Sequence, residues 1–141
     1  VARSTAHTEG ERVLAYGLHL GSRLPAHATS TGRVLLAALP KDALREWLRT
    51  HSLPRLTAYT QTEAATLRKT LTQVRADDYC VASEEHEIRV HALAVPLRDL
   101  QGRTVAALNV VTSPQRLQGA RLAQELLPVL RDAARELRPL L

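Results

Sequence analysis

The run Thr29-Ser30-Thr31-Gly32 sets three hydroxyl side chains and a glycine directly ahead of the apolar stretch Val34-Leu35-Leu36-Ala37-Ala38-Leu39. That order predicts a helix start, with small polar residues capping the first turn and the apolar run anchoring the helix in the interior. The first N–H groups of a helix have no partner within it and sit at the positive end of its dipole. Ringed by hydroxyls, they suit a carboxylate. Capping alone accounts for one such residue, and the run exceeds that need. It therefore marks Ser30, Thr31 and Gly32 as a candidate site for a small organic acid.

A second polar group stands in apolar surroundings. Asn109 interrupts a strand otherwise built from Val105, Ala106, Ala107, Leu108, Val110 and Val111. A buried amide without partners costs about 1–3 kcal/mol, so it must bond something. Either Asn109 meets backbone at a sheet edge, or it points into a cavity and bonds a ligand oxygen. Ala82, Ala92 and Ala94 on neighbouring strands leave room for such a cavity, or for a closely packed helix.

Other chemistries find little to work with. His86 and His91 lie five apart beside Glu84, Glu85 and Glu87, without the tight spacing of a metal site, and read as an exposed acidic loop. Cys80, in a short apolar strand, reads as a small buried hydrophobe rather than a nucleophile. There is no Gly-x-Ser-x-Gly elbow, phosphate loop or dinucleotide fingerprint. No metal and no cofactor are expected, and nothing requires an enzyme.

The elements that must position these groups follow from periodicity and punctuation. Residues 1–7 and 11–20 read as two strands, the second with Leu14, Tyr16, Leu18 and Leu20 alternating. A helix from Ser30 to about Leu39 stops at Pro40. A second, Lys41 to Thr50, carries Leu44, Trp47 and Leu48 on one face. After a loop over 51–61, Thr62 is the expected N-cap of a third helix with Leu67, Leu71 and Val74 buried. Asp77-Asp78 ends it. Strands follow at 79–83 and 90–97, then a hairpin turn at Asp99-Leu-Gln-Gly102. The return strand 104–112 is apolar enough to imply cover on both faces. A last helix from about Gln118 carries Leu122, Leu126, Leu130 and Leu137, with a kink expected at Pro128. Hairpin-linked strands with helices between them indicate an α+β sheet-and-helix fold rather than a doubly wound parallel sheet.

Composition bounds the class. The 141 residues suit one domain, and 45% hydrophobic with 23% charged residues is ordinary for a globular protein. No apolar run approaches the roughly 20 residues of a membrane span, and the N-terminus reads without a signal-peptide h-region. A single cysteine excludes an internal disulfide and fits a reducing cytoplasm. The net charge of +5 is spread along the chain, mostly as arginine, without a basic run or an aromatic strand for stacking bases. Direct nucleic-acid binding is accordingly not expected of these residues. The absence of any methionine suggests a piece of something longer.

Three blocks give the chain a wider likeness: Gly21 to Ala37; Tyr79-Cys-Val-Ala-Ser-Glu-Glu-His86 with Ala92-Leu-Ala-Val-Pro96; and Gly102-Arg-Thr-Val-Ala-Ala-Leu-Asn-Val110. In this order and spacing the chain resembles the effector-binding domain of IclR-type bacterial transcriptional regulators, in particular those of aromatic-acid catabolism. The resemblance implies a GAF-like α+β fold, a curved antiparallel sheet flanked by helices, over residues 1–141. It implies a winged helix-turn-helix domain preceding this segment and contacting operator DNA, and a dimer or tetramer. It also implies that backbone amides at Ser30 and Thr31 hold an effector carboxylate, with Ala82, Ala92, Asn109 and Val111 lining the remainder and Leu24 ahead of the helix counted among them.

Departures from the family pattern sharpen the ligand class. Family members often carry an acid at the position of Ala82 and Cys or Ser at that of Ala92, and usually Gly-Leu-Arg where this chain has Arg89-Val90-His91. Shorter, less polar side chains make a larger pocket, suited to an aromatic acid such as 4-hydroxybenzoate or protocatechuate rather than a two- or three-carbon oxo-acid. Tyr16 or Trp47 could stack on or bond a phenolic ring, and His19 and Arg23 flank the helix start. Two rival readings stay open: an oligomerisation module without effector, and an enzyme acting on a small acid, for which the alanines supply no titratable group.

Overall fold

Alternation along three strands decides which helices lie on which side of the sheet. The computed structural model describes residues 2–3, 19–113 and 119–141. Within them, β1 (Ala2–Arg3) pairs antiparallel with β2 (Arg23–Leu24). Three helices follow, α1 (Ser30–Ala37), α2 (Lys41–Thr50) and α3 (Ala64–Asp77), then β3 (Cys80–Ser83), β4 (His91–Arg98), β5 (Thr104–Thr112) and α4 (Gly119–Leu137). The three longer strands form an antiparallel sheet in the order β3-β4-β5.

Cys80, Ala94 and Ala107 face a cluster built from α1, α2 and α3, including Val34, Leu36, Leu48, Leu67, Leu71 and Val74. Their neighbours Val81, Leu93, Val95, Leu108 and Val110 face the other way, against Leu122, Leu126, Leu127 and Leu130 of α4. This period of two is what a strand between two covering layers requires. Leu67, Leu71 and Leu122 are fully buried, each contributing about 1.5–3 kcal/mol of apolar burial. The architecture is α+β, an antiparallel sheet between helical layers.

The helix and hairpin boundaries follow local chemistry. At the β4–β5 hairpin, Asp99 Oδ1 accepts the amides of Gln101 and Arg103, and Gly102 takes φ +81° as the turn requires. Asp78 ends α3 in the left-handed conformation, φ 63°. Three expectations change. α1 ends at Ala37 rather than Leu39, and α3 is capped at Glu63 without a side-chain bond, because the Thr62 hydroxyl instead accepts from Arg55. Cover on β5 is uneven: Ala107 packs on one layer and Leu108 and Val110 on the other, but Val105, near the hairpin, is 50% exposed. α4 continues through Pro128. The expected strand at 11–20 lies outside the described residues apart from His19 and Leu20, which belong to a turn closed by Ser22 N–H on the His19 carbonyl. Among the described residues no helix is long and apolar enough to cross a membrane.

Candidate ligand-binding site

The α1 start divides the work among its hydroxyls. Thr29 is the N-cap, with extended backbone (φ −120°, ψ 149°), and its Oγ1 accepts the Gly32 amide at 3.2 Å while donating to the Pro25 carbonyl at 3.0 Å. The amides of Ser30 and Thr31 are left ahead of the first turn, as at any helix start. Ser30 is 1% exposed, and its Oγ has no hydrogen-bond partner. A buried hydroxyl of this kind carries a desolvation cost that nothing in the chain offsets.

That hydroxyl faces a hollow, partly open to solvent, between the α1 start and the sheet. Ala82, Ala92 and Val111 are consecutive register partners across β3, β4 and β5 and form its floor. Leu24 and Thr31 also line it, and Asn109 stands at its β5 edge. Asn109 is not the buried amide its apolar neighbours suggest: it is exposed, and so meets water. Small side chains in the floor leave the space unfilled.

Three residues proposed from the sequence fall elsewhere. Trp47 projects from α2 into the helical layer and stacks on His51, with ring centroids 4.4 Å apart and planes 9° apart. His19 is exposed, its Nδ1 bonded to the Leu20 carbonyl region at 3.0 Å. Gly32 does not line the hollow; a Cβ there would lie 2.4 Å from the Cα and carbonyl oxygen of Ala26, so glycine permits the turn to close against α1. Tyr16 lies outside the described residues, and Arg23 is exposed on β2.

The wall opposite the helix comes from a segment that sequence reasoning placed in solvent. Glu85, His86 and Val90, from the loop between β3 and β4, line the hollow together with Ala28 and Thr29. The loop is rigidly anchored. Glu84 and Arg89 adopt left-handed backbone (φ 57° and 66°), and the Glu84 amide donates to the Val90 carbonyl at 2.8 Å. The hydroxyls of Thr57 and Thr60 donate to the carbonyls of Glu84 and Glu85, each at 2.6 Å.

Glu85 is neutralised where it stands. Arg33, 1% exposed, donates Nη1 and Nη2 to its two carboxylate oxygens at 2.6 and 2.5 Å and Nε to the His27 carbonyl at 2.8 Å. The Gln61 amide gives Glu85 a third bond, to Oε1 at 3.2 Å. The acid therefore presents no net charge to the hollow. Burial holds the His86 imidazole below its usual pKa, with neighbouring Glu87 opposing and His27 reinforcing the shift. Burial also pushes the Cys80 thiol up to about 11, which disqualifies it as a nucleophile at neutral pH. Among the described residues no group of metal-ligating side chains converges. The arrangement can hold an anion at the helix start and an apolar body over the alanines.

Comparison with known proteins follows the same line. The family described as bacterial transcriptional regulator IclR C-terminal matches residues 4–138. The Pca operon regulatory protein of Acinetobacter baylyi is 50% identical over 141 residues, covering 100% of this chain and 51% of that protein. The p-hydroxybenzoate hydroxylase transcriptional activator of the same organism is 49% identical over 141 residues, 99% of this chain and 52% of that one. The chain thus spans about half the length of these relatives. A crystal structure of a double mutant of the PobR transcription factor inducer-binding domain from Acinetobacter, in complex with 3-hydroxybenzoic acid, superposes with TM-score 0.87 at 50% identity, covering 94% of this chain and 75% of that chain. The Thermotoga maritima IclR structure gives TM-score 0.83 at 29% identity, over 92% and 52% of the two chains.

Proposed function

Since the chain belongs to the IclR family of bacterial transcriptional regulators, matching its C-terminal domain, we propose that it senses a small aromatic carboxylate, 4-hydroxybenzoate or protocatechuate, and relays its presence to a DNA-binding domain. The observation that carries this reading is the Ser30 hydroxyl, buried and without a partner at a helix start that opens on the hollow. A carboxylate there takes the amides of Ser30 and Thr31 and accepts the Ser30 O–H, at the favourable end of the helix dipole.

The remainder of the wall suits a ring. Ala82, Ala92 and Val111 offer apolar contact, and the Arg33–Glu85 pair brings no net negative charge against the acid. The hydroxybenzoate in the PobR neighbour and the p-hydroxybenzoate named for a relative support the same class. Regulation follows as a population shift: an acid gripped between helix α1, the sheet and the β3–β4 loop favours the arrangement in which all three are held, with a coupling free energy typically of about 1–3 kcal/mol. The regulator acts in the cytoplasm as a homodimer or tetramer, and contacts its operator through a helix-turn-helix domain outside this segment.

Calorimetric titration with 4-hydroxybenzoate, protocatechuate, benzoate, pyruvate and glyoxylate tests the proposal. The aromatic acids give saturable heat and raise the melting temperature with concentration. Heat from the short oxo-acids, with none from the aromatic acids, would overturn the ligand class.

A further inference from the structure

We infer that the imidazole of His86 reads the ring hydroxyl of a phenolic acid in this cavity, an assignment that rests on the aromatic-carboxylate reading above. Polar groups on the wall are few, and most are already committed. The Ser30 hydroxyl and the first-turn amides belong to the carboxylate end. Glu85 accepts three bonds, two from Arg33 and one from Gln61. Asn109 is exposed at the β5 edge, where water competes for its amide. The Thr31 hydroxyl, half-buried on the same wall, stands with Ser30 at the carboxylate end; away from that end, His86 is a half-buried cavity residue whose ring has no hydrogen-bond partner among the described residues.

Its position is fixed by the loop rather than by its own contacts. The residues on either side are held by the Thr57 and Thr60 hydroxyls and by the Glu84–Val90 backbone bond, so the ring is presented without a network of its own. Anchoring the backbone in this way spares the cost of ordering the loop when a ligand binds. Burial favours the ring as the neutral imidazole; the charge of Glu87 opposes this and that of His27 reinforces it. A neutral imidazole has one N–H donor and one acceptor nitrogen, matching a phenol, which both gives and accepts a hydrogen bond.

The rest of the cavity makes this match selective. A phenolic hydroxyl placed among Ala82, Ala92 and Val111 without a partner would be desolvated for nothing, and an unhydroxylated ring would leave the imidazole unpaired. The hydroxyl is therefore a recognised feature of the ligand and not a tolerated one.

The test is a ratio. Affinities of benzoate, 3-hydroxybenzoate and 4-hydroxybenzoate are measured for the unmodified protein, His86→Leu, His86→Gln and Asn109→Ala. The expected result is that one hydroxybenzoate isomer binds the unmodified protein about three- to tenfold tighter than benzoate. His86→Leu brings the ratio of hydroxybenzoate to benzoate affinity to about one, and His86→Gln restores part of the preference. A preference that survives in His86→Leu, or vanishes instead in Asn109→Ala, overturns the assignment. Failure of every acid, benzoate included, to bind the unmodified protein overturns the carboxylate reading and this assignment with it. Should His86→Leu not fold, imidazole nitrogen NMR shifts of the unmodified protein decide: the His86 ring responds to hydroxybenzoate and not to benzoate, and an identical response to both refutes the proposal.

Discussion

Arg33 and Glu85, 52 residues apart in sequence, form a doubly hydrogen-bonded ion pair that is almost fully removed from water, with side-chain exposures of 2% and 11%. The pair ties the first turn of α1 to the loop that forms the opposite cavity wall. Breaking one side of such a pair leaves an uncompensated buried charge, which costs about 3–5 kcal/mol. Arg33→Met and Glu85→Ala each lower the unfolding free energy by that order in urea titrations. The double variant loses less than the sum of the two, because no orphan charge remains. Additive losses would show that the two side chains act independently.

Ser30 sets stability against binding. Its Oγ is buried and unpaired, so Ser30→Ala removes a desolvated hydroxyl and makes the free protein more stable by about 1 kcal/mol. The same change weakens an aromatic acid by about three- to tenfold, since a donor to the carboxylate is gone. Thermal unfolding with and without ligand reads both effects. A loss of stability in the free protein would mean that the hydroxyl already has a structural partner.

Gly32 separates packing from recognition. The sequence groups it with Ser30 and Thr31 as a site residue, but the distances make it a point of close approach to Ala26. Gly32→Ala forces a methyl to within 2.4 Å of backbone atoms that cannot swing aside, and destabilises the fold by about 3 kcal/mol. Circular dichroism melts check the loss. A variant of normal stability that fails only to bind would return Gly32 to the site.

Local signals were legible and long-range ones were not. The Thr29 cap, the Asp99–Gly102 turn and the stripe of Leu67, Leu71 and Val74 are each written within a few residues, and the elements stand close to where those patterns put them. The floor residues Ala82, Ala92 and Val111 come together because strand register aligns them, which the family likeness anticipated and composition did not. Glu85 and His86 look like a solvated acidic run because a run of charges usually is one. Their burial depends on Arg33, far away in the chain, and on two threonine hydroxyls in the 51–63 loop. For Trp47 the helical stripe foretold an inward face but could not say that α2 packs away from the cavity.

Asp78 offers a pH test of the α3–β3 junction. It ends α3 at φ 63°, and its carboxylate takes two bonds from Arg98 on β4, at 2.7 and 2.5 Å. Those bonds hold its pKa below the ordinary carboxylate range; partial burial opposes them, and the charges of Arg98 and Arg131 add to them. A depressed carboxyl pKa contributes stability at neutral pH that is lost as the pH falls through the folded-state value. Both partners are roughly 40% exposed, so solvent limits the contribution to about 0.5–1 kcal/mol. Asp78→Asn keeps a residue that tolerates left-handed backbone and removes only the charge. The variant is therefore less stable by that amount at pH 7, and the difference narrows as the pH drops below about 4, where the carboxyl of the unfolded chain takes up its proton before the folded one does. Urea titrations across this range measure it. A gap that stayed constant into acid would place the contribution of Asp78 in the helix cap and not in its pairing with Arg98.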